Sequence, residues 1–566
     1  MTRRAEPRST GRREGLTLLA LYGLPLFLAV LLGGELRGFP FQQYQLSDGA
    51  YYLRWAADLA NGTGFGPQPY FVNPLYLYFL ALMAKLSLSG TEAIRVLQML
   101  LGALVYPLVY LLGKRCFDRT TGLIAWGLAL GYGPLLLAPQ EIASTWLEAL
   151  FAVLVPLVLA GSLSTGRLAA AGLLCGAAVL NRPNLLPFLL CVPFLIRSWS
   201  TGPLPVTIPP VPVSVPPLAL VVRRAAVFLV VAALVILPVT VRNYVAGNDL
   251  VLVTSHGGIN FFIGNSPGAR GTFYAPPGFH EDPISINSRD ARRLASEEAG
   301  TPLTPSQASR HWFHRGISWI AGNPGDAASL YLKKLLLFSH AYEVPLNTTY
   351  ALFREQAPLL MFLLVPFPLL LLAAIPTLLA PATRRDLLPI AQLLLVQAAG
   401  VLLFFVSSRY RLPLVPLLAV PAAATLRRIA GRRGRKTTAG LAGRLSRKIS
   451  AGLAGGTLLA LAVGALCIPT PLTRDIDLDS RASSFESLGI YLFDAGRLGE
   501  AEVELRHAIT LRPRIHAPHW YLARILDKRG DYAGAAGYWR RAAELYGPDT
   551  TWGAEAARKA GRIKGE

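Results

Sequence analysis

Charge is scarce in this sequence. Charged residues of either sign make up 16 % of the 566 residues, apolar residues make up 52 %, and the mean hydropathy is +0.41. Soluble globular chains carry about a quarter charged residues, so an ordinary soluble domain is excluded for most of the length. Cysteine is also rare. Cys116, Cys175, Cys191 and Cys467 are the four, all in or beside apolar runs and none spaced as CxxC, which excludes a disulfide scaffold and a thiolate zinc site. GxxxxGK[ST] is absent, which excludes a P-loop. Acidic residues number 33 against 55 Lys and Arg, for a formal net charge of +22. That excess would suit nucleic acid, but the basic residues gather in short connections between apolar runs, the distribution that orients membrane helices. No nucleic acid partner is expected.

What the sequence has in quantity is apolar runs of roughly 18 to 22 residues, enough to span a bilayer core as helix. Expected spans are 16–34, 93–113, 120–137, 143–162, 168–182, 184–198, 225–241, 358–380, 387–406, 412–426 and 449–468, about eleven in all. The run after the basic N-terminus MTRRAEPRSTGRREG (1–15) reads as a retained first helix, since no small-residue cleavage site follows. With that N-terminus in the cytoplasm, each basic connection falls inside in turn: Lys114 with Arg115 and Arg119, Arg167, Arg223 with Arg224, Arg384 with Arg385, and the cluster at 427–448. The same parity puts 35–92, the turn at Glu141, the loop 242–357 and everything after 468 outside. The Pro-rich stretch 199–222 reads as an extended cytoplasmic linker.

Beyond 468 the composition turns soluble, and 482–549 repeats with a period of 34. Phe485, Leu488, Gly489, Leu492, Ala501, Leu505, Ala508 and Pro513 occupy the positions that a tetratricopeptide repeat fills with large, small and terminating residues. His519, Leu522, Ala523, Leu526, Ala535, Trp539 and Ala542 return 34 residues on. Two such repeats are short of the three that usually stand alone, so this segment is expected to dock on the membrane domain or on a protein partner. Residues 550–566 read as a tail.

The outside segments hold the candidate chemistry. In the loop 35–92, Asp48 opens a helical pattern with Tyr52, Trp55, Ala56 and Leu59 on one apolar face, expected to lie along the membrane surface. As an isolated feature, Ser47 or Asp48 is a good helix N-cap; as a carboxylate above the bilayer, Asp48 is placed to deprotonate an acceptor hydroxyl. An acidic residue, Tyr-Tyr, an amphipathic helix, the Gly-rich NGTGFG and then NPLYLYFLAL, all after one membrane helix, resemble the GT-C glycosyltransferases. Within these the likeness is to glycosyltransferase family 39, the protein O-mannosyltransferase-like group related to the aminoarabinose transferases of lipid A, and it covers roughly 16–430. The resemblance implies an all-α GT-C bundle, a polyprenyl- or dolichyl-phosphate sugar donor, inverting transfer to a protein, lipid or glycan acceptor, and Asp48 as base. Where many members carry a second acidic residue beside the first, Gly49 stands here, so no metal is indicated and no cofactor is expected; a divalent ion stays open.

Other residues admit two readings each. Arg182, in LNRPN at 180–184, either snorkels to lipid headgroups or meets the donor phosphate. Arg409 and Arg411, in SSRYRLPLVP at 407–416, stand outside against the positive-inside trend, and an Arg fork suits phosphate oxygens, while snorkelling also accounts for them. Arg242, His256 and Asn260 lie in a Gly- and Asn-rich stretch that permits tight turns or close approach of backbone amides to a ligand. Lys334, in the pattern LYLKKLLLFSH, belongs to an expected interfacial helix whose basic residues face lipid phosphate or ordinary headgroups. Glu141 caps a turn or orients a substrate. The family style points to a bacterial inner membrane. The rival functions are a lipid or solute transporter, expected to display ionisable residues in mid-membrane that few of these spans contain, and a non-catalytic GT-C-like scaffold displaying the repeats.

Overall fold

A computed structural model describes residues 8–160 apart from 47, 64, 65 and 67, then 163–200, 217–274, 276, 290–347, 349–380, 387–434, 457–548 and 550–562. The basic pair Arg384 and Arg385, most of the linker 199–222 and most of the basic cluster 427–448 lie outside the described residues. The described chain is helical, with an isolated bridge between Tyr132 and Leu364 in place of any strand. The all-α membrane fold expected from the hydropathy is present.

Each expected span carries helix, but most are shorter than a bilayer. Among the described residues three helices are long and apolar enough to cross: Arg13–Glu35, Thr91–Cys116 and Leu218–Gly247. Pro74–Lys85, Thr145–Leu159, Thr165–Asn181, Phe367–Leu378 and Leu388–Leu403 are apolar but have 10–17 residues; a helix rises about 1.5 Å per residue. Proline accounts for part of the breakage, since Pro183, Pro358 and Pro366 stand at element starts, where a missing N–H costs nothing. Pro74–Lys85 is an apolar helix that the reading of 35–92 as an outside loop did not separate. Leu190, Leu379 and Leu395 are 82 %, 77 % and 70 % exposed; helix faces of this kind belong against lipid.

The chain folds as two compact units. The first comprises 1–35, 51–341 and 358–468, and holds the apolar helices. Several of its close joints are glycines. A Cβ on Gly172 would stand 2.5 Å from the Phe228 carbonyl oxygen, and one on Gly122 2.5 Å from that of Tyr110, so helices Thr165–Asn181 and Leu218–Gly247 touch backbone to backbone, as small residues allow in membranes. The amphipathic helix Asp48–Ala60 turns its face inward: Tyr52 and Ala56 are buried and Trp55 and Leu59 pack against Tyr76, Leu77, Leu80 and Ile94. It therefore packs on protein, where the sequence had suggested the lipid surface.

The second unit assembles three distant pieces, 36–50, 342–357 and 469–566. The expected boundary at 482 shifts to 469, and parts of both outside loops join the C-terminal helices. The 34-residue period is realised in the backbone. Gly496 and Gly530 both have φ of +77°, the left-handed turn that glycine adopts freely, and Ala501 and Ala535, Leu505 and Trp539, and Ala508 and Ala542 are all fully buried. Residues 551–562, read from sequence as tail, form a helix whose Ala556 and Ala560 pack with Trp520 and Trp539.

Candidate active site

Within the first unit the chemistry gathers where three chain segments meet. Helix Thr165–Asn181 ends because Pro183 forbids helical backbone at the residue before it; Arg182 is extended, with φ −155° and ψ 111°. Its Nη2 pairs with Glu148 Oε1 at 2.5 Å, with side chains 13 % and 5 % exposed. Glu148 lies one turn into Thr145–Leu159, and Ser144 Oγ donates to the same Oε1 at 3.4 Å. From the third segment, Arg409 Nε donates to Thr145 Oγ1 at 3.1 Å, its charge reaches Glu148, and the Arg182 guanidinium stacks 4.6 Å from the Tyr410 ring centroid. Two guanidinium groups thus face one buried carboxylate at the ends of apolar helices.

Several buried polar atoms on these segments have no hydrogen-bond partner among the described residues: Arg182 Nε, Asn181 Oδ1, Asn184 Oδ1, Ser407 Oγ and Trp146 Nε1. Native interiors pair nearly all such groups, so these five stand out on the segments that meet at Glu148. Three of these are N–H or O–H donors, as an oxyanion requires.

The residues singled out by sequence divide between this place and others. Arg182 and Arg409 belong to it. Arg411 does not: its side chain is fully buried and Nη1 donates to the carbonyls of Leu337, Phe338 and His340 at 3.3, 3.0 and 2.7 Å, so it closes the C-terminus of helix Pro324–Ser339 where a phosphate role was expected. Arg242 is likewise engaged, donating to the carbonyls of Gln68 at 2.6 Å and Gly66 at 3.3 Å and lying 4.3 Å from the Tyr70 ring centroid. It pins the Gly-rich turn. Asn243 beside it, fully buried, accepts from Tyr70 N and donates to the carbonyls of Val251 and Val253. His256 bonds the Phe71 carbonyl through Nδ1, and Asn260 is half-buried on helix Gly257–Gly264. Glu141 is half-buried, and its backbone carbonyl accepts from Gln98. Lys334 is fully buried, with Nζ donating to Asn265 Oδ1 at 3.0 Å, so it does not face headgroups; its exposed neighbours Lys333, Leu335 and Leu336 form the interfacial face. Burial pushes its amine down to about 7. Asp48, half-buried, belongs to the second unit and opens its helix.

Glu148 is the residue that the sequence reading passed over. A lone carboxylate within the apolar run TWLEALFAVLVPLVL was the available signal, because an ion inside a membrane helix needs a partner or a purpose. Among the described residues no group of three or more His, Cys, Asp or Glu side chains is arranged to hold a metal ion, and the four cysteines are free.

Residues 68–222, which include Glu148 and Arg182, match the family model described as dolichyl-phosphate-mannose-protein mannosyltransferase. No curated protein matches the chain. Among solved structures the chain is similar to the oligosaccharyltransferase AglB of Archaeoglobus fulgidus in complex with an inhibitory peptide and a dolichol-phosphate, at 16 % identity and TM-score 0.40, covering 86 % of this chain and 59 % of that one. The apo form of the Archaeoglobus fulgidus oligosaccharyltransferase gives 14 % and 0.41, covering 79 % and 56 %. ArnT from Cupriavidus metallidurans bound to undecaprenyl phosphate gives 13 % and 0.38, covering 94 % and 81 %. The chain thus spans less than two thirds of the oligosaccharyltransferases.

Proposed function

We propose that this protein is a membrane glycosyltransferase that moves a sugar from a polyprenyl-phosphate donor to an extracytoplasmic acceptor, with inversion. The observation that carries the reading is the Glu148–Arg182 pair beside Arg409, on segments that also carry the buried, unpartnered donors Arg182 Nε, Trp146 Nε1 and Ser407 Oγ. Glu148 holds Arg182 in place, and the guanidinium groups with the nearby N–H and O–H groups take up the charge that grows on the phosphate as the glycosidic C–O bond breaks. Asp48, the base implied by the family resemblance, accepts the acceptor's proton as its oxygen attacks the anomeric carbon. Polyprenyl phosphate leaves. The chemistry as written uses no metal, so it is expected to run in EDTA.

The sidedness also has support. Segments 36–50, 342–357 and 469–566 fold into one unit, so they lie on one side of the membrane, and an even number of crossings separates each from the next. The six spans expected between 92 and 242 and the four between 357 and 469 satisfy that condition provided Pro74–Lys85 does not cross, and the basic connections then assign all three segments to the outside with a cytoplasmic N-terminus; we read the membrane as a bacterial inner membrane. The C-terminal helices are read as tetratricopeptide repeats.

The test is transfer from a labelled polyprenyl-phosphate sugar by the full-length protein in vesicles. Asp48→Asn and Arg409→Ala are each expected to lower turnover by about 100-fold or more, on the scale of losing a base or one oxyanion donor. Undiminished turnover in Asp48→Asn removes that residue from the chemistry, and undiminished turnover in both sinks the mechanism. A buried ion pair also suits a transporter; a flippase would move the labelled lipid across the vesicle without consuming it.

A further inference from the structure

The C-terminal helices were expected to bury too little by themselves. The second unit contains what completes them. Leu488, Leu492, Phe493, Ala501, Leu505, Leu522 and Ile525 form a buried cluster, and Phe41, Tyr44 and Leu46, from a loop more than 400 residues earlier in the chain, pack against it. The contacts are specific in geometry. Phe41 meets Phe485 edge-on at 5.7 Å, Tyr44 lies 5.0 Å from Tyr491, and the Arg497 guanidinium stands 5.3 Å from the Tyr44 ring centroid. Phe39 meets Phe353 edge-on at 5.5 Å, which ties in the second loop. That loop is held in turn: Arg481 pairs with Glu355 at 2.6 Å and Tyr342 donates to Asp477 at 3.2 Å.

We propose that the repeats take the chain's own residues 39–46 as their ligand, and that this docking positions Asp48. The array is thereby an intramolecular clamp on the loop that carries the base, in place of a free docking surface for another protein. Asp48 lies two residues beyond Leu46, and an extended chain covers at most roughly 7 Å over that distance. The Gly49 amide donates to the Leu46 carbonyl at 3.3 Å, closing a turn across Asp48 itself. A fixed Leu46 therefore leaves Asp48 little room to wander. Phe41, Tyr44, Phe485 and Tyr491 are positioning residues, with no contact to substrate required of them.

This rests on Asp48 serving as base, so two readouts on the full chain are needed. In hydrogen exchange, Phe41→Ala, Tyr44→Ala and Phe485→Ala are each expected to speed exchange of the amides of 39–50, while Tyr44→Phe, which keeps the ring, stays like wild type. Wild-type rates for 39–50 in Phe41→Ala and Phe485→Ala alike would overturn the docking, whatever the activity. In the transfer assay, Phe41→Ala and Tyr44→Ala are expected to lower kcat by about 10- to 100-fold, the scale of misplacing a catalytic group by an ångström, with the KM for donor unchanged and with Tyr44→Phe restoring turnover. Phe485→Ala added to Phe41→Ala should cost nothing more. Faster exchange with undiminished kcat overturns the positioning of a base while leaving the clamp. A wild type that transfers no sugar from the donor overturns the function, and with it the positioning role, and the exchange result still decides the docking.

Discussion

Glu148 and Arg182 illustrate how much depends on a single ion pair away from water. Breaking such a pair from one side strands a buried charge and costs about 3–5 kcal/mol, whereas replacing both partners with apolar groups is often neutral. Glu148→Leu is accordingly expected to destabilise the protein strongly, and Glu148→Leu with Arg182→Met to recover most of that loss in a thermal unfolding assay. Sugar transfer should stay lost in the double variant. Recovery of transfer together with stability would make the pair a piece of scaffold. Lys334 offers a pH signature. Its folded-state pKa lies near 7 and that of an unfolded lysine near 10.4. Between these values the unfolded chain holds a proton that the folded chain does not, so stability rises with pH across that window and is flat below it, where both forms are protonated. Wild type should gain stability from about pH 7 to pH 10, and Lys334→Met should lack that slope. Equal slopes in the two proteins would contradict the buried, desolvated amine.

At the scale of helices, glycine decides how closely neighbours approach. A methyl group at Gly172 has nowhere to go, because the atom it meets is the Phe228 carbonyl oxygen, 2.5 Å away, in a helix that cannot yield locally. Gly172→Ala is expected to cost about 1–3 kcal/mol by forcing the pair apart. Gly127, with nothing within 4 Å of the added carbon, is the control, and Gly127→Ala should fall within about 0.5 kcal/mol of wild type. Equal thermal midpoints for the two would refute the close joint. Helices were also where the sequence was most informative. Apolar runs announced helix in each of the eleven expected spans, since burial in lipid requires continuous hydrophobicity, and the period of 34 recurs in the burial of Ala501 and Ala535 and of Ala508 and Ala542. Lengths were harder to read, because a Pro or a bend divides a run without changing its composition. Sites were harder still. Arg409 was singled out as an arginine against the positive-inside trend, and Arg182 as an arginine in a Pro-broken turn at a helix end. Arg411 carried the same signal and turned out to close a helix end, since no sequence pattern says which atom a guanidinium finds.

At the scale of the whole molecule, the expected sidedness can be set beside the two compact units. Alternation of basic loops assigned 35–92, 242–357 and the C-terminal segment to one side, and parts of those three segments are the ones that make the second unit. That they fold together could not be read from the chain. The aromatic residues Phe39, Phe41 and Tyr44 look like any hydrophobic loop near a membrane, and their partners lie far along the sequence.

That unit has a consequence for how the protein is made. Its opening piece leaves the ribosome about 420 residues before the helices that cover it, a delay of roughly 20–80 s at ordinary rates of synthesis. Until those helices are made, Phe41 and Tyr44 lack the rings of Phe485 and Tyr491 that they pack against. Chains cut short before Pro469 lack the residues that bury Phe41, Tyr44 and Leu46, and so never complete this unit.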